Sequence, residues 1–248
     1  MAFKDHFSGH ADAYASARPD YPTSLYAWLA QQTPTRSHAW DCATGNGQAA
    51  IGLALHFDQV SASDASADQI ANAIPQANVR YLVASAEHST LHQTSVDLIS
   101  VAQALHWFDH DAFYAEVRRV ARPNGVLAAW TYGLTRVNPA IDAIVDTLYE
   151  DLLDPWWPPE RRHVETGYQD LAFPFAEIPS PDFAMRQYWS LTQFIAYLHT
   201  WSAMQRYLRN HKSRDAIDEI EHRLASVWRH ADRVREVLWP LRMRVGRV

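Results

Sequence analysis

The stretch that decides the fold is WDCATGNG, residues 40–47, which precedes an apolar run with helical spacing. It predicts a short strand that ends near an acid, Asp41, and turns through Gly45 and Gly47 into a helix. Glycines let a backbone approach a ligand closely, and a helix N-terminus directs amide N–H groups at it. A second predicted strand ends on another acid, Asp64. Two such acids beside one glycine turn indicate a ligand that carries a cation at one end and a ribose in its middle.

Strands and helices alternate through the first half of the chain. The predicted strands cover residues 38–42, 59–64, 79–84, 96–102 and 126–131, and the intervening helices cover 48–56, 67–73 and 111–121. This alternation is typical of a parallel sheet with helices on both faces, in which ligands bind at the carboxyl edge of the strands. Four segments are expected to meet at that edge, at Asp41, Asp64, 85–87 and 103–106.

After Asn138 the pattern changes to predicted helices interrupted by prolines. The helices cover residues 141–153, 191–201, 203–208 and 216–228, and a last strand over 238–248 is expected to return to the sheet. The helix over 25–32 precedes the first strand.

Composition narrows the class of protein. The 248 residues carry a net charge of −6, which argues against nucleic acid as a partner, because such proteins usually present a basic stripe. The single cysteine, Cys42, allows no intrachain disulfide, so a reducing cytoplasm is the expected location. No apolar run has the length of a membrane span and the first residues lack the apolar block of a signal peptide, so no membrane association is expected.

Several motifs resemble those of the class I S-adenosylmethionine-dependent methyltransferases, and within them the small-molecule group that includes the trans-aconitate methyltransferases. The similar segments are YASARPDYP at 14–22, DCATGNGQ at 41–48, VAQALHWFD at 101–109, RVARPNGVL at 119–127 and the stretch from Trp157 to Tyr168. Two positions depart from the family pattern. Ala43 stands where the family usually has glycine, and since alanine does not take a positive φ without cost, we expect a slightly different turn. Ser85 stands where the family often has an acid.

The resemblance implies a fold and a division of the chain into three parts. It implies a doubly wound, mostly parallel, Rossmann-like α/β sheet of seven strands with the last strand antiparallel, and a mainly helical C-terminal lobe. Residues 1–135 would form the cofactor-binding core with an N-terminal cap, 136–235 a substrate lobe with helices, and 236–248 the returning strand.

The resemblance also implies roles around the cofactor, S-adenosylmethionine, whose product is S-adenosylhomocysteine. Gly45 and Gly47 would let the backbone pass close to its methionyl part. Asp41 would face its cationic end, or hydrogen-bond a helix terminus. Asp64 would accept hydrogen bonds from the ribose hydroxyls, or cap the helix that begins at Ala67. The other candidate cofactor residues are Arg18 for the methionyl carboxylate, Tyr14 on the same face, Ser85, Ala86 and Glu87 beside the adenine, and Gln103 near the sulfonium.

The site of the methyl acceptor has fewer candidate residues than the cofactor site. Trp107 could reach the methyl acceptor, and His106 is a candidate general base. Arg161 or Arg162 could hold an acid, with Trp157 and Tyr168 as pocket walls. No other base is evident, which favours a carboxylate or enolate acceptor, since these need no proton removed.

Metal and nucleophile chemistry find little support in the sequence. The pairs His88/His92 and His106/His110 have i,i+4 spacing but no third ligand at an obvious spacing, so no metal is expected. Cys42 lacks a matching His and acid, and we interpret it as a core residue.

The predicted function is therefore methyl transfer from S-adenosylmethionine to a small molecule, with a carboxylic acid as the favoured acceptor, by a monomer or homodimer. Two alternatives remain at this point. The run GNGQAA at 45–50 also fits G-x-G-x-x-A, so an NAD-dependent oxidoreductase is possible. A non-catalytic S-adenosylmethionine-binding or interaction protein is the other, because fold does not guarantee function.

Overall fold

A central sheet organises the part of the chain that the computed structural model describes, residues 19–248. Eight strands build it: β1 (His38–Cys42), β2 (Gln59–Asp64), β3 (Val79–Val83), β4 (Val96–Ala102), β5 (Ala121–Tyr132), β6 (Ala176–Glu177), β7 (Ala184–Trp189) and β8 (Arg235–Arg247). Their order is β3-β2-β1-β4-β5-β8-β6, with β7 also paired to β8. Strands β1 to β5 pair in parallel, and β8 is antiparallel to β5.

The predicted doubly wound sheet with an antiparallel last strand is thus confirmed, but the strand count differs from seven. The additional strand arises because β8 is long and two separate segments pair with it. Residues 184–189 pair with its first half, and 176–177 pair with its end. Neither short segment has a periodicity of its own that would predict a strand.

Nine helices flank the sheet within residues 19–248. They are α1 (Thr23–Gln32), α2 (Gln48–Ala54), α3 (Ala67–Ala71), α4 (His110–Val120), α5 (Pro139–Thr147), α6 (Arg161–Glu165), α7 (Leu191–His199), α8 (Ser202–Asn210) and α9 (Asp215–Trp228). Short polar side chains start several of them: Ser66 accepts a hydrogen bond from the Gln69 amide, and Asp109 accepts one from the Ala112 amide.

The predicted helix over residues 141–153 divides into two parts. The regular helix α5 ends at Thr147, and Leu148–Leu152 continues as a π-helical turn. This widened turn carries Tyr149, which is buried and belongs to the site described below. Such turns are often found at functional sites.

The two faces of the sheet bury separate hydrophobic clusters. Along β5, Ala128 and Trp130 point into one cluster with α1, α2, α5 and the C-terminal helices, whereas Leu127 and Ala129 point into the other, with α4. This alternation follows from the two-residue period of a strand. Both faces of the sheet are therefore covered by packed side chains, and a ligand has to bind at an edge of the sheet.

A buried ion pair fixes the amino edge of the central strands. The Asp97 carboxylate at the start of β4 accepts hydrogen bonds from the Ser37 and His38 amides at 3.1 and 2.9 Å and pairs with Arg122 at 3.0 Å. The carboxyl ends of β1 to β4 lie at the opposite edge, which is where the candidate residues gather. No helix in the described residues has both the length and the apolar character that crossing a bilayer requires.

Candidate active site

Three residues of the turn after β1 have left-handed backbones. The φ angles are 55° at Ala43, 57° at Gly45 and 94° at Gly47. At Gly47 a Cβ atom would also lie 2.3 Å from the Tyr81 hydroxyl, so glycine is required there on two grounds. The helix α2 begins directly afterwards, and its first amides face the turn.

Ala43 takes a positive φ, which alanine does not adopt without cost. Ala43 itself takes the left-handed conformation that glycine usually supplies, at a cost of roughly 1–2 kcal/mol. Strain of this kind persists where the surrounding structure imposes it, and it is frequent at functional sites. The turn therefore has a left-handed residue at position 43 in spite of the alanine.

The Asp41 side chain stabilises this turn through hydrogen bonds. Its buried carboxylate accepts hydrogen bonds from Thr44 Oγ1 and Ser100 Oγ, both at 2.6 Å, and from the Ala50 amide in the first turn of α2. Burial raises the pKa of Asp41 to about 6. The helix-terminus role is thus observed, and any effect of Asp41 on a ligand would pass through its charge and the adjacent turn.

Asp64 joins the ends of β1 and β2. One carboxylate oxygen accepts the Gly45 amide at 2.9 Å and the other accepts the Ser66 amide at 2.8 Å. Ser66, and not Asp64, caps the helix at Ala67, so the capping alternative for Asp64 is wrong. The carboxylate is partly exposed, and each oxygen keeps a second lone pair for a ligand hydroxyl.

The other cofactor candidates lie at the same edge where they are described. Ser85 and Glu87 are partly buried and Ala86 is buried in the loop after β3, where Glu87 Oε1 accepts the Asp109 amide at 3.2 Å. Tyr14 and Arg18 lie outside the described residues. The nearest described part of that segment is bound to the glycine turn, because Gln48 Nε2 donates to the Pro19 carbonyl at 3.1 Å.

Gln103 leaves β4 with a left-handed φ of 60°. Its amide oxygen accepts Thr131 Oγ1 at 2.8 Å, and its amide nitrogen points at the Tyr132 carbonyl at 3.5 Å. The side chain is therefore fixed by β5. The sequence did not single out Thr131, whose only signal is a polar residue at an inward position of a predicted strand.

Tyr168 differs from its prediction as a pocket wall. It is fully buried, and its hydroxyl lies 3.1 Å from His106 Nδ1. Tyr168 therefore contacts His106, and it can influence a methyl acceptor through that side chain. Trp107 is adjacent, with its ring centroid 4.6 Å from that of His106 and 37% of the residue exposed.

His106 is held as a neutral imidazole. Burial, with smaller electrostatic contributions from Arg161, His163 and His110, lowers its pKa to about 3. A side chain with this pKa is a poor proton acceptor near neutral pH. The structure therefore argues against His106 as a general base.

Arg161 is the arginine that faces the site. Its guanidinium stacks on the rings of Trp157 and Tyr149, 4.9 and 5.6 Å from their centroids, and Nε donates to Tyr149 Oη at 2.9 Å. Tyr149 donates in turn to Glu165 at 2.6 Å. Arg162 is exposed. Nothing in the sequence marked Tyr149, because it lies inside an ordinary helical pattern.

Some hydrogen-bond donors of Arg161 and of its neighbour Trp157 have no acceptor among residues 19–248. Within residues 19–248, the terminal nitrogens of Arg161 make no hydrogen bond, and the buried Trp157 Nε1 has no partner. A buried unpaired donor costs about 1–3 kcal/mol. The arrangement therefore suits a ligand that supplies acceptor atoms.

Cysteine and metal chemistry remain without support in residues 19–248. Cys42 is fully buried and its pKa is raised well above the usual value by that burial. The described residues contain no group of three or more His, Cys, Asp or Glu side chains that could hold a metal ion.

The strand order, the single antiparallel strand and the glycine turn at the carboxyl edge define a Rossmann-like nucleotide-binding fold. Comparison with known proteins narrows this class. Residues 40–129 match the family described as a methyltransferase domain. A Dictyostelium discoideum protein named as a putative methyltransferase is 33% identical over 234 residues, which cover 93% of this chain and 89% of that protein.

A solved structure agrees over almost the whole chain. It is described as a putative type II methyltransferase from Anaeromyxobacter dehalogenans, has 47% identity and a TM-score of 0.88, and covers 93% of this chain and 97% of its own. The YcgJ protein of Bacillus subtilis, at 15% identity and a TM-score of 0.51 over 91% and 98% of the two chains, shows the fold alone. The chain belongs to the class I S-adenosylmethionine-dependent methyltransferases. This membership sets the NAD-dependent alternative aside.

Proposed function

We propose that this enzyme methylates a small carboxylic acid and belongs with the trans-aconitate methyltransferase-like group. The observation that carries the proposal is Arg161, a cation stacked between two aromatic rings with unused N–H donors beside the strand-β4 exit. Guanidinium groups bind carboxylates in a bidentate manner. S-adenosylmethionine supplies an activated methyl group when bound, so the protein has to position the two reactants and exclude water.

The residues at the carboxyl edge fit this cofactor. Asp64 offers acceptors for two ribose hydroxyls, and the left-handed turn through Gly45 and Gly47 would lie along the methionyl part, with open space where a Gly45 side chain would stand. The further cofactor residues of the proposal are Tyr14, Arg18, Asp41, Ser85, Ala86, Glu87 and Gln103.

The acceptor site is proposed to consist of Arg161 and Trp157 with Trp107, and with Tyr168 behind His106. The unused polar groups of Arg161 and Trp157 are donors, so they favour an anion over a neutral alcohol or amine. Each carboxylate oxygen bound by Arg161 keeps a lone pair that can attack the methyl carbon.

The one candidate base on the acceptor side within residues 19–248, His106, is a poor one, and this supports the same acceptor class. An ionised carboxylate can be methylated without losing a proton, whereas a hydroxyl or ammonium group has to lose one. The low pKa of His106 makes that side chain unsuited to removing it. A carboxylate is therefore the acceptor that these residues serve best.

The proposal assigns acceptor recognition to the lobe 136–235. Tyr149, Trp157, Arg161 and Tyr168 all come from this lobe, whereas the cofactor candidates come from residues before 135. Variation in the lobe would then change the acceptor without changing cofactor binding.

The test is methyl transfer from S-adenosylmethionine with a radiolabelled methyl group to a panel of small mono-, di- and tricarboxylic acids. We expect the wild type to methylate at least one acid, and Arg161→Gln to lower kcat/KM for it about 10–100-fold, as loss of a charged hydrogen bond does. Arg162→Gln is the matched control and should change kcat/KM by less than about twofold, because exposed charges contribute little.

Two results would contradict the proposal. One is cofactor binding without transfer to any acid of the panel, which would favour the non-catalytic binding protein. The other is equal loss of kcat/KM in both arginine variants, which would remove Arg161 as the acid-binding group.

A further inference from the structure

Three side chains form a hydrogen-bonded relay at the proposed acceptor site. Arg161 Nε donates to Tyr149 Oη at 2.9 Å, and Tyr149 Oη donates to Glu165 Oε1 at 2.6 Å. Tyr149 is only 6% exposed, whereas Arg161 is partly buried and Glu165 lies at the surface. The phenol therefore stands between a cation and a carboxylate that both belong to helix α6.

The direction of both hydrogen bonds follows from the chemistry of the three groups. A guanidinium N–H only donates, so the Tyr149 oxygen accepts from Arg161. The phenol has a single hydrogen and an ionised carboxylate only accepts, so that hydrogen lies on Glu165. Burial raises the pKa of Tyr149 above its ordinary value, and the phenol therefore keeps its hydrogen at neutral pH.

The two charged residues of the relay do not pair with each other. Arg161 and Glu165 are four residues apart in α6, a spacing at which opposite charges on a helix are neighbours. Among the ion pairs of residues 19–248, however, none at 4.0 Å or less joins these two side chains. The Tyr149 hydroxyl takes one hydrogen bond with each of them and so keeps them apart.

Local structure fixes the position of Tyr149. The residue lies in the π-helical turn Leu148–Leu152 that follows α5. Its ring centroid lies 4.9 Å from that of Trp157 and 5.9 Å from that of Trp201, the latter in a T-shaped arrangement. Because the ring is packed against two others, its hydroxyl has a fixed place, and Arg161 Nε is fixed with it.

The relay leaves one end of the Arg161 guanidinium for a ligand. Tyr149 uses Nε, and the two terminal nitrogens make no hydrogen bond to any residue from 19 to 248. Two N–H groups in one plane match the two oxygens of a carboxylate. The Glu165 carboxylate could occupy the same donors if Tyr149 did not hold it.

We infer that Tyr149 and Glu165 are positioning residues, and that Tyr149 keeps Glu165 from neutralising Arg161 and so reserves the terminal nitrogens of Arg161 for the carboxylate of the methyl acceptor. The identity of this ligand rests on the proposed function, whereas the separation of the two charges does not. Loss of the Tyr149 hydroxyl should then weaken acid binding only when Glu165 is charged.

Transfer of a radiolabelled methyl group to the acid that the wild type methylates best tests this dependence. Tyr149→Phe should raise KM for the acid about 10-fold or more, because Glu165 then competes for Arg161. Glu165→Gln should stay within about threefold of the wild type, since its amide oxygen still accepts the phenol hydrogen and exposed charges contribute little. The double variant should recover KM to within about threefold of the wild type, since no carboxylate remains to compete.

This rescue separates positioning from a purely structural role. If Tyr149→Phe acted by loosening the packing, the Glu165→Gln change would not restore KM, and that result would overturn the inference. Tyr114→Phe is the matched control, because it removes another buried phenol, which donates to the Ala172 carbonyl at 2.7 Å and has no hydrogen bond to the relay. It should change KM by less than about twofold, and S-adenosylhomocysteine affinity should stay unchanged in every variant.

Crystal structures test the separation of charges without any activity. The wild type should show Tyr149 Oη between Arg161 and Glu165, and Tyr149→Phe should bring the Glu165 carboxylate within about 4 Å of the guanidinium. A direct Arg161–Glu165 pair in the wild type would overturn the inference, and this result needs no variant to fold. Charges that stay apart in Tyr149→Phe would overturn it as well. If the wild type methylates no acid, the proposed function fails while these structures still decide whether Tyr149 separates the charges.

Discussion

At the scale of single residues, Asp41 shows how the site combines stability with function. Its carboxyl group is fully buried and its partners are the hydroxyls of Thr44 and Ser100 and one backbone amide. No cation pairs with it among these partners. Burial therefore favours the protonated form, and the folded pKa of about 6 exceeds the reference value of 3.8.

The sign of the resulting pH dependence follows from this raised pKa. The folded state binds the proton more tightly than the unfolded state, so the contribution of Asp41 to the free energy of unfolding is fully present below pH 3.8. It is lost as the pH rises through about 6. The full difference corresponds to about 3 kcal/mol at most.

Asp41→Asn should therefore raise the free energy of unfolding at neutral pH by about 1–3 kcal/mol, because the amide cannot ionise. Its nitrogen can donate to Ser100 Oγ, which then donates to the Trp40 carbonyl at 3.4 Å. Urea unfolding between acid and neutral pH measures the effect, with the exposed Asp58→Asn as control. A variant less stable than the wild type at neutral pH would show that the ionised carboxylate is well accommodated.

At the scale of elements, the turn from Ala43 to Gly47 fixes the geometry of the cofactor side. Three of its five residues are left-handed, and only two of these are glycine. The remaining one, Ala43, carries a Cβ that disfavours the left-handed conformation, so one substitution can relieve the cost.

Ala43→Gly should increase the free energy of unfolding by about 0.5–1 kcal/mol. The change removes the left-handed penalty of roughly 1–2 kcal/mol and adds about 0.4–1 kcal/mol of chain entropy to the unfolded state. Denaturant unfolding measures the difference. Ala50→Gly in α2 is the control and should lose about 1–2 kcal/mol, because glycine disfavours the helix and a buried methyl group is removed. A destabilised Ala43→Gly would mean that the turn depends on the alanine methyl group.

The elements of the core were predictable because their signals are local. Strands β1, β2 and β4 have the predicted bounds, since each is a short segment between local turn signals. The pairings of β6 and β7 with β8 were not predictable, because they depend on contacts 46–71 residues apart in sequence. Strand β5 begins at Ala121 and not at 126 as predicted, and it includes Asn124, which has a φ of 63°.

At the scale of the whole molecule, the site is assembled from segments far apart in the chain. The sequence indicated which segments end at the carboxyl edge, because that follows from the order of strands and helices. It could not tell Arg161 from Arg162, or show that Tyr168 is buried, because these outcomes depend on how α6 packs against strand β5 and the loop after β4. The cofactor side was therefore more predictable than the acceptor side.

The central claim is that the turn after β1 and Asp64 bind S-adenosylmethionine. The most direct measurement is isothermal titration of the wild type and Asp64→Ala with S-adenosylhomocysteine, with Asp68→Ala as control, an exposed acid four residues further on. We expect micromolar binding by the wild type and the control, and a loss of about 10–100-fold or more in Asp64→Ala, as for two lost charged hydrogen bonds. Absence of binding by the folded wild type, or equal affinity in Asp64→Ala, would contradict the claim.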